Sequence, residues 1–306
     1  MMKIMFFGLG SIGRRHAKLL RDDSGHELYA FRSGKEGPGN ELGIREVRAW
    51  EEVRALAPEV AFITNPTFLH IKTARKCVSL GMKLFIEKPV DSTTDGLDDL
   101  LDEVVRRGTV TYLAYNLRFH PVIEYLKGYL KGKKALHASV YTSSYLPQWR
   151  PAEWRRKKGN GGDVILDLSH EFDYIEYLFG AIEDVRGFFD RVSEVTLDAD
   201  DFVDASIRTG NTYINLHVDY MSRHVERNIK IDLEDEYIFA DLIASRIEFC
   251  SGDRVRTQEF KSGTPETYRK QLEYFFGNID NAGMMNNLPE ASSLFRKIVD
   301  FREKRA

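Results

Sequence analysis

The first 115 residues alternate short apolar runs with stretches whose apolar residues recur at helical spacing. The apolar runs lie at residues 3–7, 26–31, 60–64, 82–86 and 110–115. Helices are predicted between them, at residues 14–20, 49–56, 68–80 and 97–107. Continuous apolar runs are typical of strands buried on both faces, and strands that alternate with helices indicate a parallel, doubly wound sheet.

The pattern changes after about residue 116. Alternating apolar and polar residues predict strands at residues 136–144, 203–208, 213–220, 228–233 and 247–250, and helices are predicted at 121–130, 163–179, 268–278 and 291–304. Strands with one polar face are typical of an antiparallel sheet. We therefore predict two domains, an α/β domain over residues 1–117 and an α+β domain with a large, mostly antiparallel sheet over residues 118–306.

Composition narrows the class of protein. The chain is 42% hydrophobic and 30% charged, as expected of an ordinary globular protein. Its net charge of -3 provides no basic surface for nucleic acid, and no apolar run approaches the ~20 residues of a membrane helix. Cys77 and Cys250 are the only cysteines, which suits a reducing cytoplasm. We expect no metal site.

A glycine motif follows the first apolar run. Gly8, Gly10 and Gly13 form G-x-G-x-x-G between a predicted strand and a predicted helix. In this context the first glycine permits a tight turn, the second lets the backbone approach a pyrophosphate, and the third lets helix and strand pack closely. We therefore predict a dinucleotide site at the helix N-terminus, to which Ser11 and Ile12 also contribute.

Glu87, Lys88 and Pro89 follow the fourth apolar run directly. Because proline cannot donate to a sheet ladder, the strand is predicted to end here. Ligands of open α/β sheets lie beyond the carboxyl ends of the strands. A partly desolvated amine gives up its proton more readily, so Lys88 is a candidate proton donor or acceptor. The alternative is a solvated lysine in a surface turn.

The predicted helix over residues 163–179 has a polar side. Its apolar stripe consists of Val164, Leu168, Phe172, Ile175 and Phe179. At ~100° per residue, Asp167, His170 and Asp173 lie opposite this stripe. An imidazole and two carboxylates could therefore face a cleft, although the polar side of an amphipathic helix is more often simply solvated.

Together these motifs resemble the Gfo/Idh/MocA family, named for glucose–fructose oxidoreductase and inositol 2-dehydrogenase. The resemblance rests on residues 8–16, 65–67 with His70, 87–89, 116–121 and 161–173. It implies an N-terminal Rossmann domain and a C-terminal domain whose open sheet often forms a dimer or tetramer contact. It also implies an NAD(P)-dependent enzyme that transfers a hydride between nicotinamide and a carbinol or keto carbon of a sugar or sugar derivative, which could be nucleotide-linked.

The resemblance further implies roles for single residues. Lys88 matches the family's proton-transferring, substrate-orienting lysine, and Asp167 with His170 matches its second-domain pair. Many members separate that pair by four residues and this chain by three, so Asp173 stays open as the working carboxylate. In oxidation, His170 would take the hydroxyl proton while Lys88 bonds the same oxygen. The other motif residues match positions that contact the cofactor (Asn65, Pro66, His70 and Glu87) or the substrate (Asn116 and Arg118).

The end of the second strand bears on the choice of nicotinamide. NAD sites usually have an acidic residue there, ~20 residues beyond the glycine turn, that bonds the ribose 2′-hydroxyl. This strand ends in Arg32 and Ser33, with Lys35 nearby. A guanidinium can pair with a 2′-phosphate. We therefore predict a preference for NADP(H), read by Arg32 and Ser33, with NAD(H) as the alternative.

Residues 145–158 are rich in aromatic and basic side chains. Aromatic rings suit sugar faces and arginines suit phosphate or carboxylate, so we predict substrate contacts from Tyr145, Trp149, Arg150 and Trp154. Alternatively, these aromatics are core or interface residues. Two other functions stay open, namely a non-catalytic dinucleotide-binding regulator and a reductase of a non-sugar such as an imine or tetrapyrrole. We expect a cytoplasmic homodimer or homotetramer that binds neither nucleic acid nor membrane.

Overall fold

The computed structural model describes residues 1–23, 25–32, 39–148, 163–196, 198–210, 212–261 and 263–304. The chain divides into two compact units, unit 1 with residues 1–114 and 268–293, and unit 2 with residues 115–267 and 294–306. The chain first passes from unit 1 to unit 2 after residue 114, close to the predicted boundary after residue 117. The return of residues 268–293 to unit 1 was not predicted.

The elements follow in chain order. The strands are β1 (Lys3–Phe7), β2 (Glu27–Phe31), β3 (Arg45–Val47), β4 (Val60–Ile63), β5 (Lys83–Ile86), β6 (Thr111–Leu113), β7 (His137–Ser143), β8 (Ile182–Asp190), β9 (Phe202–Thr209), β10 (Thr212–Asp219), β11 (Glu226–Asp232), β12 (Tyr237–Asp241), β13 (Arg246–Ser251) and β14 (Arg254–Glu259). The α-helices are α1 (Ser11–Asp23), α2 (Trp50–Leu56), α3 (His70–Ser79), α4 (Leu97–Arg107), α5 (Pro121–Tyr129), α6 (Val164–Asp167), α7 (His170–Phe179), α8 (Thr264–Gly277) and α9 (Leu288–Glu303). In the described ranges, no helix combines the length and apolar character needed to cross a membrane.

Unit 1 is built on a six-stranded sheet in the order β3-β2-β1-β4-β5-β6. Every strand pair in it is parallel, which confirms the predicted doubly wound sheet. The central strands β1, β4 and β5 consist almost entirely of buried residues, and this explains their continuous apolar runs. Strand β3 has only three residues, too few for its periodicity to show in the sequence.

The returning segment covers part of the unit 1 sheet. Phe275 on α8 lies 5.3 Å from the ring of Phe85, and Phe276 lies 6.4 Å from that of Phe62. Beyond α8, the amide of Leu113 on the edge strand β6 donates to the carbonyl of Asn286 at 2.8 Å. Burial of these aromatic rings and pairing of an exposed sheet edge both favour the return of the chain.

Unit 2 is built on an eight-stranded sheet in the order β14-β13-β12-β11-β7-β10-β9-β8. Its pairs are antiparallel except for β7 with β10, which confirms the predicted mostly antiparallel sheet. One face is apolar and the other polar, as in β9, where Val203 is buried and Asp204 is exposed. The sequence did not predict β8, β12 and β14.

The predicted continuous helix over residues 163–179 is wrong. Helix α6 ends at Asp167, and α7 begins at His170. Between them Leu168 adopts φ -101 and ψ 28, and its carbonyl accepts from the amide of Glu171, three residues on, at 3.2 Å. Because the backbone leaves the α-helical region here, a single helical wheel does not describe Asp167 and His170 together.

Candidate active site

The glycine turn and the Lys88 turn begin at the same edge of the unit 1 sheet. Phe7, Ile63 and Ile86 lie opposite one another in the parallel register of β1, β4 and β5. The residues that follow them therefore leave the sheet side by side. This edge holds the carboxyl ends of the strands, where ligands of such sheets bind.

The backbone of the glycine turn fits a bound dinucleotide. Gly8 has φ +110, and a Cβ there would lie 2.7 Å from the amide nitrogen of Asn65. A Cβ at Gly13 would lie 2.2 Å from the carbonyl oxygen of Gly8, whereas one at Gly10 would meet nothing within 4 Å. Two glycines are thus required by packing, and the third leaves room for a pyrophosphate to approach α1, which begins at Ser11.

His70 connects the turn after β4 to the Lys88 turn. Its ring is buried, with Nδ1 2.9 Å from the carbonyl oxygen of Pro89 and Nε2 3.0 Å from that of Asn65. Carbonyl oxygens only accept, so a neutral imidazole donates to one of them at a time. The side-chain amide of Asn65 donates to Thr73 Oγ1 at 2.8 Å. These contacts hold the two turns together, and direct cofactor contacts by Asn65, Pro66 and His70 stay predictions.

Glu87 has a partner that the sequence analysis missed. Its Oε1 lies 2.6 Å from Nε2 of His16 on α1, and both side chains are buried. The available signal was the position of His16 on the buried stripe of α1, together with Gly13, Ala17 and Leu20. A histidine on an apolar stripe needs a buried hydrogen-bonding partner. Glu87 therefore contacts the protein here, and its predicted cofactor contact stays untested.

In unit 2, Asp163 anchors the short helix that ends at Asp167. Its carboxylate accepts from the amide of Leu166 at 2.8 Å, as an N-cap, and lies 3.2 Å from Nη2 of Arg302. Burial, partly opposed by the charge of Arg302, raises the pKa of Asp163 to about 6. The start of α6 is thus fixed from two sides.

His170 begins α7 against a buried tyrosine. The rings of His170 and Tyr115 meet edge to face with centroids 5.7 Å apart, and the Tyr115 hydroxyl donates to Ser169 Oγ at 3.5 Å. Burial raises the pKa of Tyr115, so its phenol stays protonated at neutral pH. His170 itself is half-buried, as is Asp167. Each residue therefore keeps part of its surface exposed.

Asp173 is placed differently from Asp167. Its two carboxylate oxygens accept from Nε of Arg118 at 3.1 Å each, and Nη2 of Arg118 adds a bond of 2.8 Å. Both side chains are almost fully buried, and the guanidinium also lies 4.7 Å from the ring of Tyr177. Asn116 likewise donates internally, to Thr267 Oγ1 at 2.9 Å. The substrate contacts predicted for Arg118 and Asn116 stay untested, and their geometry favours support of unit 2.

The remaining predicted contacts are only partly within the described residues. The ring of Tyr145 lies 4.3 Å from the guanidinium of Arg223, which also donates to its hydroxyl at 3.2 Å. Nη1 of Arg32 lies 3.4 Å from Oε1 of Glu46 on β3, a residue the sequence analysis missed because β3 was not predicted. The other predicted residues, Ser33, Lys35, Trp149, Arg150 and Trp154, lie outside the described residues.

The parallel sheet, the glycine turn and the lysine turn define a dinucleotide-binding oxidoreductase. Comparison with known proteins agrees. Residues 2–115 match the profile of the Gfo/Idh/MocA oxidoreductase family, described as an NAD-binding Rossmann fold, and residues 134–237 match the profile of the Gfo/Idh/MocA C-terminal domain. The chain belongs to the Gfo/Idh/MocA family. Membership confirms the predicted family, the fold class and an NAD(P)-dependent oxidoreductase activity.

Two curated relatives illustrate the family. UDP-N-acetylglucosamine 3-dehydrogenase of Acidithiobacillus ferrooxidans is 28% identical over 246 residues, which cover 79% of this chain and 74% of that protein. The scyllo-inositol 2-dehydrogenase (NADP(+)) of Bacillus subtilis is 27% identical over 128 residues, covering 40% of this chain and 36% of that protein.

Solved structures share this fold. The Acidithiobacillus ferrooxidans UDP-N-acetylglucosamine 3-dehydrogenase superposes with a TM-score of 0.82 at 21% identity, covering 99% of this chain and 97% of that one. A levoglucosan dehydrogenase in complex with NADH superposes with a TM-score of 0.84 at 18% identity, with the same coverage. One of these relatives is named for NADP(+) and one structure contains NADH. Similarity to them therefore does not determine which nicotinamide cofactor this chain prefers.

Proposed function

We propose that the chain is an NAD(P)-dependent dehydrogenase that interconverts a ring carbinol and a ketone on a nucleotide-linked amino sugar. The observation that carries this proposal is the Lys88 turn, which leaves the sheet at the same edge as the glycine turn, one strand away across β4. An amine beside a nicotinamide site is the group that reversible alcohol oxidation needs. A purely regulatory dinucleotide binder needs no such amine.

The cofactor would be held at its pyrophosphate by the glycine turn, and its nicotinamide would supply hydride transfer at the substrate carbon. Lys88 donates a hydrogen bond to the substrate oxygen and stabilises negative charge that develops there. Its backbone is held on both sides, because Glu87 bonds to His16 and the carbonyl of Pro89 bonds to His70. A fixed donor contributes more than a mobile one, since less reorganisation accompanies the reaction.

We assign the proton transfer in unit 2 to His170, with Asp167 as the carboxylate that orients it. Asp167 and His170 end and begin consecutive helices and are both half-buried. Asp173, the alternative carboxylate, is engaged by Arg118 in a buried ion pair. Withdrawing Asp173 from that pair would leave a buried guanidinium uncompensated, which is costly. Asp167 is therefore the better candidate.

A nucleotide-linked substrate is supported by the relative at 28% identity, which is named for UDP-N-acetylglucosamine. Tyr145 offers a ring already stacked with Arg223, an arrangement that suits a sugar face beside a phosphate.

For the cofactor we propose a preference for NADP(H), read by Arg32, whose side chain is 40% exposed at the end of β2. Glu46 shares that guanidinium and would weaken, without removing, its attraction for a 2′-phosphate.

We also propose a cytoplasmic homo-oligomer. The polar face of the unit 2 sheet carries large exposed rings, with Phe188 80% and Tyr213 64% exposed. Exposed aromatic residues of this size are typical of contact surfaces. Light scattering at micromolar concentration tests the proposal, and a monomer would contradict it.

The function is tested by mixing the purified protein with NAD(H) or NADP(H) and a panel of UDP-N-acetylglucosamine, UDP-N-acetylgalactosamine, scyllo-inositol and levoglucosan. Reduced nicotinamide is followed by absorbance. We expect turnover of the UDP-sugars to exceed that of the free polyol and anhydrosugar. Tight nicotinamide binding without turnover on any substrate would contradict the proposal and favour a regulatory protein. Turnover of only scyllo-inositol or levoglucosan would contradict the proposal of a nucleotide-linked substrate but would still support a dehydrogenase.

A further inference from the structure

A buried hydrogen bond joins the helix after the glycine turn to the residue before Lys88. Nε2 of His16 lies 2.6 Å from Oε1 of Glu87, with the His16 side chain 0% and that of Glu87 9% exposed. With the proton on Nε2, the imidazole donates and the carboxylate oxygen accepts. The two residues are 71 positions apart, so the bond is a tertiary link and not part of local turn geometry.

The surroundings of His16 make this bond hard to replace. Its ring lies 5.0 Å from that of Phe85 and 5.9 Å from that of Phe62, and Tyr268 packs edge-on at 5.5 Å. In such apolar surroundings a hydrogen bond to a charged group is strong, and an unpaired carboxylate is costly. The contact with His16 therefore favours the position that Glu87 occupies.

The bond also spans the strand between the two turns. His16 extends from α1, which follows β1, and Glu87 follows β5, while β4 lies between β1 and β5 in the sheet. The main chain of Glu87 is fixed as well, because its amide donates to the carbonyl of Ile63 on β4 at 2.9 Å. The backbone of Lys88 therefore begins from a point fixed relative to the helix that would hold the pyrophosphate.

We propose that His16 and Glu87 are positioning residues that set the Lys88 amine against a nicotinamide anchored at the glycine turn. This inference rests on the proposed function, since it gives Lys88 a place beside the nicotinamide. Neither His16 nor Glu87 touches the reacting atoms. Their bond fixes the spacing between the cofactor's anchor and the amine, and a misplacement of ~1 Å at a reacting group can lower a rate by ~100-fold.

Three variants separate positioning from stability. His16→Phe keeps an aromatic ring against Phe62 and Phe85 but leaves the Glu87 carboxylate without its donor. The double variant His16→Phe/Glu87→Met removes both polar partners, an exchange that is often neutral for folding because no buried charge is left behind. Glu87→Gln keeps a hydrogen-bonding side chain of the same length. The matched control is His26→Phe, a histidine of the same unit whose ring stacks on Phe276 at 4.8 Å.

The principal measurement needs no substrate. NADPH is titrated by fluorescence, and the labelling rate of Lys88 by an amine-acylating reagent is measured by mass spectrometry with and without NADPH. In the wild type we expect bound NADPH to slow labelling of Lys88 by about tenfold or more, a difference of the size expected when a group is sequestered by a specific contact. His26→Phe and Glu87→Gln should keep most of this protection.

In the double variant we expect NADPH to bind within about threefold of the wild-type Kd, while protection of Lys88 falls below about twofold. If UDP-N-acetylglucosamine is a substrate, kcat should fall and KM should hold, since only placement of the amine has changed. Full protection of Lys88 in the folded double variant would overturn the inference. So would equal loss of NADPH affinity and protection, because that outcome indicates a general packing role or a direct cofactor contact by Glu87.

The same data keep this inference apart from the proposed function. If NADPH binds the wild type but leaves Lys88 labelling unchanged, Lys88 does not lie beside the nicotinamide and the proposed function fails. If NADPH protects Lys88 equally in the wild type and the double variant, only the role of His16 and Glu87 fails.

Discussion

The Lys88 turn of unit 1 and the Asp167–His170 segment of unit 2 both carry a residue proposed to act on protons or developing charge. The backbone that places each residue is fixed in a different way. Lys88 follows a strand whose end is set by parallel register with its neighbours. Asp167 and His170 lie on either side of a break between two short helices. The end of the strand before Lys88 is also marked locally, because Pro89 cannot donate to a sheet ladder. The helix break depends on contacts that a periodic pattern does not contain.

The two regions nevertheless share one device, a buried carboxylate held by a cationic or imidazole partner. Glu87 meets His16 in unit 1, and Asp173 meets Arg118 in unit 2. In each case the carboxylate lies close in sequence to the proposed reactive residue. A polar residue close in sequence to a reactive one is therefore as readily a structural support as a chemical partner.

The free energy of unfolding separates Asp173 from Asp167. Asp173→Ala leaves the buried guanidinium of Arg118 uncompensated, so we expect unit 2 to lose ~3–5 kcal/mol of unfolding free energy. Urea denaturation measures the change. The double variant Arg118→Met/Asp173→Leu should recover most of the loss, because it leaves no unpaired charge.

Asp167→Ala is the matched control for this experiment. Asp167 is half-buried at the end of α6, so its removal should change stability much less than Asp173→Ala while lowering turnover. The reverse pattern, an unaltered stability in Asp173→Ala with lost turnover, would show that Asp173 is the working carboxylate and that the ion pair is incidental.

The sequence predicted the features that depend on neighbouring residues. The strand, glycine turn and helix of residues 3–20 and the strand end before Lys88 both appear where expected. It missed features that depend on distant partners. The pairs His16–Glu87 and Arg118–Asp173 join residues 71 and 55 positions apart. The return of residues 268–293 to unit 1 likewise depends on aromatic packing against a sheet formed much earlier in the chain.

The partner of Arg32 at the end of β2 could not be predicted from neighbouring residues, because Glu46 lies on the unpredicted strand β3. We expect Arg32→Ala to lower the preference for NADPH over NADH by about tenfold, the effect of losing a charge-assisted hydrogen bond. Glu46→Gln should raise the preference by releasing the guanidinium. Titration with both cofactors measures each ratio, with Arg54→Ala on α2 as the control for loss of an exposed arginine. An unchanged ratio in Arg32→Ala would remove Arg32 from the cofactor site.

Asp163, which caps the helix that carries Asp167, should make the stability of the chain depend on pH. Burial raises the pKa of Asp163 to about 6, above its value in an unfolded chain. Its contribution to stability is therefore fully present at low pH and is lost as the pH rises through about 4 to 6. Asp163→Asn removes this dependence, so its stability relative to the wild type should rise by on the order of 1 kcal/mol between pH 4 and pH 7.

Chemical denaturation at several pH values measures this difference, and Asp253→Asn in the exposed turn between β13 and β14 is the control for an ordinary carboxyl group. If the difference in unfolding free energy between the wild type and Asp163→Asn stays constant with pH, ionisation of Asp163 does not destabilise the folded chain.

We propose that Lys88 and His170 serve one reaction, and a double-mutant cycle on turnover of UDP-N-acetylglucosamine tests this proposal. We expect Lys88→Ala and His170→Ala each to lower kcat by at least ~100-fold with cofactor binding nearly unchanged, the scale of a lost acid–base or charge-stabilising group. Lys18→Ala, an exposed lysine on α1, should be neutral. The effects on kcat of substituting two groups that act on the same step are not additive. The kcat of the double variant should therefore be only slightly below that of the less active single variant. Near-normal turnover in both single variants would contradict the account.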